Sequence, residues 1–135
     1  LRNPDSYRPW QHVMDVLNGY LILIMKLYIA KNKKSINGSY NFGPDDKRKY
    51  TVKKVALKFY KSINLIKKII IKKDNFNKEK NKILLNSSKS RKKLNWSQNI
   101  KTNKAIKLSA DWYYNYIYNN KNIILKQIVE SKLFY

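Results

Sequence analysis

The chain has 135 residues, and its 30 lysines and arginines outnumber eight acidic residues to give a net charge of +22. This length fits one modest domain, which can bury a core but is small for a complete cofactor-dependent enzyme. The absence of cysteine excludes disulfides and thiolate metal sites, and a single histidine leaves little for a metal cluster.

The first half of the sequence alternates β-like stretches with helical patterns. Residues 1–6 are typical of a loop, and Tyr7 to Val13 is predicted as a short strand. Apolar residues at spacings of three and four then predict a helix from Met14 to Ala30 with a wide buried face. After a polar break, the run SYNFG at 39–43 predicts another strand. Thr51 is expected to cap a helix that reaches about Ile63.

The second half begins with a stretch, 64–82, whose pattern favours no single structure. Ile83 to Leu85 is predicted as a compact strand, and Ser87 or Ser88 as the cap of a short helix that ends near Trp96. A long helix is expected from about Thr102, with one apolar stripe formed by Ala105, Leu108, Trp112 and Tyr116.

The tail from Lys121 is predicted as a further helix, so the chain divides into a main part, 1–120, and a helical tail, 121–135. The resulting order of strands and helices predicts a mixed α/β fold, rich in helix with a few short strands. The three glycines are too scattered to form a glycine-rich phosphate loop.

The N-terminus shows no basic region followed by an apolar run, so no secretory signal is predicted. The best membrane candidate, Tyr20 to Met25, stops at Lys26, whereas a bilayer span needs about 20 residues. We therefore expect a soluble, cytoplasmic protein. Because the sequence begins with Leu1 rather than methionine, we also expect it to be a piece of a longer protein.

The positive charge favours polyanion partners only weakly. Lysine, asparagine, isoleucine and tyrosine make up 70 of the 135 residues, and all four have codons rich in A and T. Lysines are spread along the chain, and the arginines favoured for phosphate forks and guanine edges number only four. A small basic nucleic-acid-binding protein remains the alternative, and its binding would be non-specific and sensitive to salt.

Five stretches carry a family resemblance, in order LRNPDSYRPWQHVMDVLNGYLILIMKLY, GSYNFGPDD, TVKKV, ILLNSSKSRKKLNW and AIKLSADWYYNY. Together they resemble the C-terminal portion of the CDP-glucose 4,6-dehydratase family, a branch of the extended short-chain dehydrogenase/reductases. The run RNPDSYRPWQHV in the first stretch is specific to this branch, whereas YNFG is shared by many sugar-nucleotide epimerases and dehydratases. The resemblance extends from Leu1 to about Tyr118.

The resemblance implies the substrate-binding C-terminal part of a Rossmann-type enzyme. In the family, NAD and a Tyr-x-x-x-Lys pair belong to an N-terminal Rossmann half, which is absent from this chain. The implied reaction converts CDP-glucose to CDP-4-keto-6-deoxyglucose with loss of water, for surface polysaccharides such as O-antigen. The implied partners are CDP-glucose, the missing half and a second copy in a homodimer, with no membrane and no specific nucleic acid. The chain alone is expected to be inactive.

A related epimerase or dehydratase, or a gene remnant that does not fold, stays an alternative.

The resemblance also implies site residues. Arg8 corresponds to an arginine that reaches the substrate diphosphate, since a guanidinium fork pairs with phosphate oxygens at two points; the competing interpretation is a surface arginine. Trp10 is either a core residue or a ligand contact, and His12 either a buried, hydrogen-bonded histidine or a substrate contact. Glu79 aligns with a family glutamate at the nucleotide end. No catalytic or metal-binding residue is predicted.

Tyr50 and Lys54 match the Tyr-x-x-x-Lys spacing, but chance matches are expected in a chain so rich in both residues, and we do not interpret them as catalytic. Two positions depart from the family pattern, and the histidines that the family has around Glu79 are absent. Asn86 stands where the family has aspartate, and Asn95 replaces the glycine before Trp96. Either drift or loss of selection is compatible with these changes.

Overall fold

The computed structural model describes residues 1–45, 50–65, 68–72 and 80–119, together with 125, 128–129 and 132 of the tail. These ranges contain four α-helices: α1 Val13–Ile29, α2 Val52–Ser62, α3 Ser88–Leu94 and α4 Thr102–Tyr114. A 3₁₀ turn, Lys33–Ser35, follows α1, and a π-helical turn, Asn115–Asn119, extends α4. The described part is therefore helical with almost no strand, and the predicted mixed α/β class is too rich in β-structure.

The four helices begin and end close to the predicted residues, and side-chain caps mark the starts of α1 and α2. Ser87 occupies the N-cap position of α3, but its side chain makes no capping hydrogen bond, so the predicted serine cap was wrong. The Nδ1 atom of His12 accepts from the amide of Met14 at 3.3 Å and starts α1. Thr51 caps α2 as predicted, since its Oγ1 accepts from the amide of Lys54 at 3.1 Å. Helix α3 ends at Asn95, which has the left-handed φ of 57° that closes many helices. The predicted tail helix lies mostly outside the described residues.

The predicted strands were wrong for the described residues. Tyr7 forms two isolated bridges, antiparallel to Thr51 and parallel to Lys82, and the segment after it does not continue as a strand. Pro9 has no N–H group to donate to a neighbouring strand, and the side chain of His12 caps α1. The stretches 39–43 and 83–85 form no strand either. In 39–43, the side chains of Gln11, Ser87 and Lys89 satisfy backbone groups that a neighbouring strand would otherwise bind.

The prediction of a wide buried face on α1 was also wrong. Only Asp15 and Gly19 are fully buried. Val16, Ile22 and Leu23 are partly buried against the core. The helix is apolar on most sides, but the described residues cover only one of them. Eight large apolar residues of α1 are therefore exposed: Val13, Leu17, Tyr20, Leu21, Ile24, Met25, Tyr28 and Ile29.

The core is built from stretches far apart in the sequence. Phe42 and Trp96 meet edge to face with ring centroids 5.2 Å apart, and Leu94 is buried with them. Phe42 approaches α1 so closely that a Cβ atom at Gly19 would lie 2.5 Å from its ring. On the other side of the molecule α2 lies against α4, whose Ala105, Ile106 and Ala110 are buried. No helix among the described residues is both long and apolar enough to span a bilayer.

Candidate functional site

The segment from Tyr7 to His12 is tied to several distant parts of the chain. The amide of Tyr7 donates to the carbonyl of Asn81 at 2.8 Å, and its carbonyl accepts from Ile83 at 3.2 Å. Pro9 lies at the centre of a tight turn, because the amide of Trp10 donates to the carbonyl of Arg8 at 3.0 Å. Arg8 and Trp10 are therefore held in a fixed relation to one another.

The guanidinium of Arg8 is oriented by main-chain carbonyls. Its Nη1 donates to the carbonyl of Tyr7 at 2.8 Å and to the carbonyl of Lys80 at 3.1 Å. The side chain of Arg8 is partly buried. A guanidinium presents five donors in a planar fork, and these two bonds set the direction of that plane.

Trp10 and His12 are both anchored by hydrogen bonds. The indole Nε1 of Trp10 donates to the carbonyl of Tyr50 at 3.2 Å, and the carbonyl of Trp10 accepts from Oγ1 of Thr102 at 3.2 Å. Since His12 caps α1 through Nδ1, the histidine has a structural function whether or not it also contacts substrate. Both residues are half-buried.

Of the three other residues singled out in the sequence, the structure describes Tyr50 and Lys54. Glu79 lies outside the described residues. Tyr50 is buried, and its hydroxyl donates to Oδ1 of Asn103 at 3.0 Å. Lys54 lies over the Tyr50 ring, with Nζ 5.3 Å from the centroid. The two side chains therefore pack against one another at the start of α2.

A groove opens beside Trp10, between α2 and α4. It has a volume of about 190 Å³ and is lined by Trp10, Gln11, Val55, Phe59, Thr102, Ala105, Ile106 and Ser109. Most of its wall is apolar, with an amide and two hydroxyl groups as the polar members. Drug-sized ligands occupy pockets of roughly 300–1,000 Å³, so this groove is large enough for one ring and too small for a whole sugar nucleotide.

Gln11, which lines the groove, is hydrogen-bonded to the core residue Phe42. Its Nε2 donates to the carbonyl of Phe42 at 2.7 Å, which also determines the orientation of the side-chain amide. Sequence patterns identify Thr102 only as the start of a helix and do not identify Gln11, because a single polar residue beside an apolar run carries no periodicity. Family motifs could identify Gln11 only as part of the run RPWQHV.

Asp15 is the most important residue that the sequence analysis missed. It is fully buried, and its carboxylate accepts from the amides of Asn99, at 2.8 Å, and Ile100, at 3.3 Å and 3.4 Å. Its carbonyl also accepts from Nε1 of Trp96 at 3.0 Å. The only signal in the sequence is a lone acid in the first turn of an apolar helix. Asp15 thus connects α1 to the segment that precedes α4.

The two departures from the family pattern preserve local structure. The Oδ1 atom of Asn86 accepts from the amide of Ser88 at 3.0 Å, a bond that an aspartate would also make. Asn95 adopts a left-handed conformation, φ 57°, which glycine adopts readily and asparagine tolerates best among the other residues. Both asparagines are therefore compatible with the local structure at their positions.

The motif 39–43 is hydrogen-bonded directly to residues at the start of α3. The Oγ atom of Ser87 accepts from the amide of Gly43 at 2.7 Å, and the hydroxyl of Ser90 donates to the carbonyl of Asn41. Lys89 donates from Nζ to the carbonyl of Ser39 at 3.0 Å. The stretches that carry the family resemblance therefore meet in space, although more than 40 residues separate them in the sequence.

The described residues do not fit a cofactor loop or a metal centre. A Cβ at Gly19 would meet the Phe42 ring, and one at Gly43 would lie 2.6 Å from the Cβ of Leu85, so both glycines serve close packing. Gly38 has a φ of 125° in a polar turn beside Lys89. Among these residues no three histidine or acidic side chains come together to hold a metal ion.

Comparison with known proteins yields one significant relative. Over 96 residues, 71% of this chain, the sequence is 32% identical to the CDP-glucose 4,6-dehydratase of Salmonella typhimurium. The chain spans about a quarter, 26%, of the length of that enzyme. No family model matches the chain. The similarity supports a weak relationship to a sugar-nucleotide dehydratase.

Proposed function

We propose that this chain is the sugar-nucleotide-binding part of a CDP-glucose 4,6-dehydratase. In the complete enzyme, CDP-glucose would lose water to give CDP-4-keto-6-deoxyglucose, in the cytoplasm, as a step toward surface polysaccharide. The chain would hold the substrate, and the remaining part of the enzyme would bind NAD and carry out the chemistry. The 32% identity to the Salmonella enzyme is the observation that supports this proposal most strongly.

The segment before α1 would supply the contacts with the substrate. Arg8 has its guanidinium oriented by two carbonyls, and a guanidinium of fixed direction matches a diphosphate at two points. Trp10 follows one tight turn later and forms a wall of the groove. Phosphate oxygens at Arg8 and one ring of the substrate against Trp10 would use the two neighbouring features together.

Two further residues complete the proposed site. His12 would contact the substrate from the N-terminus of α1. Glu79 would act near the nucleotide part of the substrate, as the family resemblance implies. NAD would not be held by the described residues, since their glycines are used for packing and for a turn. We therefore expect the isolated chain to show neither measurable NAD binding nor turnover of CDP-glucose.

A chimera tests this proposal: the chain replaces the segment of the Salmonella dehydratase that it matches. Calorimetric titration with CDP-glucose at physiological salt should show binding that survives a rise in salt concentration. The control titration uses an equal phosphate concentration of duplex DNA. Turnover by the isolated 135-residue chain, or a folded chimera that does not bind CDP-glucose, would contradict the proposal.

Non-specific polyanion binding is the second candidate function, and the net charge of +22 is the observation that favours it. Neutralising each duplex phosphate contributes a slope of about −0.9 to the logarithm of affinity against the logarithm of salt concentration. We expect DNA binding, where it occurs, to be independent of sequence and to collapse along that slope. Tight binding to one DNA sequence at physiological salt would contradict this account of the positive charge.

A further inference from the structure

Trp10 is held from two sides by residues at the starts of α2 and α4. Its indole Nε1 donates to the carbonyl of Tyr50, just before α2, and its carbonyl accepts from Oγ1 of Thr102, the first residue of α4. Tyr50 in turn donates from its hydroxyl to Oδ1 of Asn103. Because Asn103 directly follows Thr102 in the chain, the hydrogen bonds form a closed circuit. We call this circuit the Trp10 clamp, and its members are Trp10, Tyr50, Thr102 and Asn103.

The hydroxyl of Thr102 is used for this bond and not for capping α4. Threonine commonly caps a helix from the residue just before its first turn, but that residue here is Lys101, whose side chain makes no capping bond. Thr102 is 1% exposed, and its neighbours on the same face of α4, Ala105 and Ile106, are buried and apolar. A hydroxyl in such surroundings lowers stability unless it is hydrogen-bonded, whereas valine would fill the same space without a polar group. The bond to Trp10 is therefore what favours threonine at this position.

The other half of the Trp10 clamp fixes the carbonyl to which the indole donates. Tyr50 is 4% exposed, and a buried tyrosine hydroxyl usually needs a hydrogen-bond partner. Asn103 supplies that partner at 3.0 Å, although Asn103 itself lies at the surface. Lys54 of α2 covers the ring of Tyr50, with Nζ 5.3 Å from the centroid. Tyr50, and with it the carbonyl that accepts from Trp10, is therefore held by both α2 and α4.

We propose that Thr102 and Asn103 are positioning residues for the sugar nucleotide and act through Trp10. This inference rests on the proposed function. The Trp10 clamp would hold the indole as a fixed wall of the groove, so that less binding free energy is lost in ordering the ring when the substrate arrives. Because the amide of Trp10 donates to the carbonyl of Arg8, the clamp would also keep the guanidinium at a set distance from the groove.

Affinity for CDP-glucose in the chimera with the Salmonella enzyme tests the Trp10 clamp. Thr102→Val keeps the shape of the side chain but removes the hydroxyl, so affinity should fall by about three- to tenfold, which corresponds to the loss of one neutral hydrogen bond. Thr102→Ser restores the hydroxyl and should restore most of the affinity. Ser90→Ala is the matched control and should leave affinity unchanged, since Ser90 is also fully buried and its hydroxyl also donates to a main-chain carbonyl, that of Asn41.

Fluorine NMR of the same chimeras, labelled with fluorotryptophan, follows the indole itself. The Trp10 resonance is assigned by its loss in Trp10→Phe. It should shift or broaden in Thr102→Val, return to its place in Thr102→Ser and stay in place in Ser90→Ala. If Thr102→Val does not fold, Asn103→Ala takes its place, because it changes an exposed residue. Asn103→Ala should also move the resonance and weaken binding, and Asn103→Asp, which keeps an acceptor oxygen for Tyr50, should reverse both changes.

Unchanged affinity or an unmoved Trp10 resonance in the folded variant would overturn the proposal. An equal loss of affinity in Ser90→Ala would also overturn it, by showing that binding responds to any loss of stability. If the unmodified chimera does not bind CDP-glucose, the proposed function fails. The Trp10 resonance then decides by itself whether Thr102 and Asn103 position the indole.

Discussion

Trp96 and Trp10 are anchored by the same kind of bond but lie in very different surroundings. Each indole donates to a main-chain carbonyl, Trp96 to Asp15 at 3.0 Å and Trp10 to Tyr50 at 3.2 Å. Trp96 is 1% exposed and enclosed by the core, whereas Trp10 is half-buried and forms a wall of an open groove. The comparison separates residues of the family motifs that maintain the fold from residues available to a ligand.

The largest expected effect distinguishes these two tryptophans. Trp96→Ala removes a fully enclosed ring, and such changes typically cost about 3–5 kcal/mol of unfolding free energy. Trp10→Ala should cost clearly less, because part of its surface already faces the groove. Urea denaturation followed by far-ultraviolet circular dichroism measures both. Equal losses in the two variants would break the distinction between a core region and a ligand-facing region.

The next effect tests how tightly the core side is packed. Gly19→Ala would gain about 1 kcal/mol of helix propensity, but its Cβ would lie 2.5 Å from the Phe42 ring. Overpacking of this kind typically costs about 1–3 kcal/mol. We therefore expect a net loss of stability.

A double-mutant cycle supplies the control for Gly19→Ala. Phe42→Leu reduces the ring that would clash, so Gly19→Ala should be less damaging in that background. The measurement is the same urea denaturation. A gain of stability from Gly19→Ala in the natural background would show that helix propensity outweighs the close approach to Phe42.

The helices were largely predictable from the sequence, and the reasons are local. Thr51 identifies the start of α2, and apolar periodicity identifies α1 within one residue at each end. The strands were mispredicted because short apolar runs such as 83–85 look alike whether or not a partner strand pairs with them. The burial of α1 failed for a different reason: periodicity shows which sides of a helix are apolar, but it does not show which of them this chain covers.

A smaller effect concerns the residue that precedes Trp96. Asn95→Ala keeps the left-handed conformation, φ 57°, but removes the short polar side chain that makes this conformation tolerable for asparagine. The left-handed conformation costs an L-residue about 1–2 kcal/mol, so alanine should lose stability by no more than that amount. Asn95→Gly restores the family residue and should leave stability unchanged or slightly raised. The two variants are compared by thermal unfolding. A stability order with alanine above glycine would contradict the capping interpretation of this position.

The candidate site was predictable only in part. Family motifs identified Arg8, Trp10 and His12, and the structure gives each of them a defined hydrogen-bonding position. The contacts of Gln11 and Thr102 could not be found, because their partners lie 31 and 92 residues away. Contacts at such separations depend on the tertiary fold, which local patterns do not encode.

The most direct test of the central claim, that this chain holds the sugar nucleotide, is the affinity of Arg8 variants for CDP-glucose in the chimera with the Salmonella enzyme. Arg8→Lys keeps the charge but loses the planar fork, and a charged hydrogen bond contributes about 1.5–3 kcal/mol, so affinity should fall by about ten- to hundredfold. Arg8→Ala should weaken binding at least as much, and NAD binding should be unchanged in both variants. Calorimetric titration measures the dissociation constants, with circular dichroism to verify folding. If Arg8→Ala is folded and binds CDP-glucose as tightly as the unmodified chimera, the claim is wrong at its central residue.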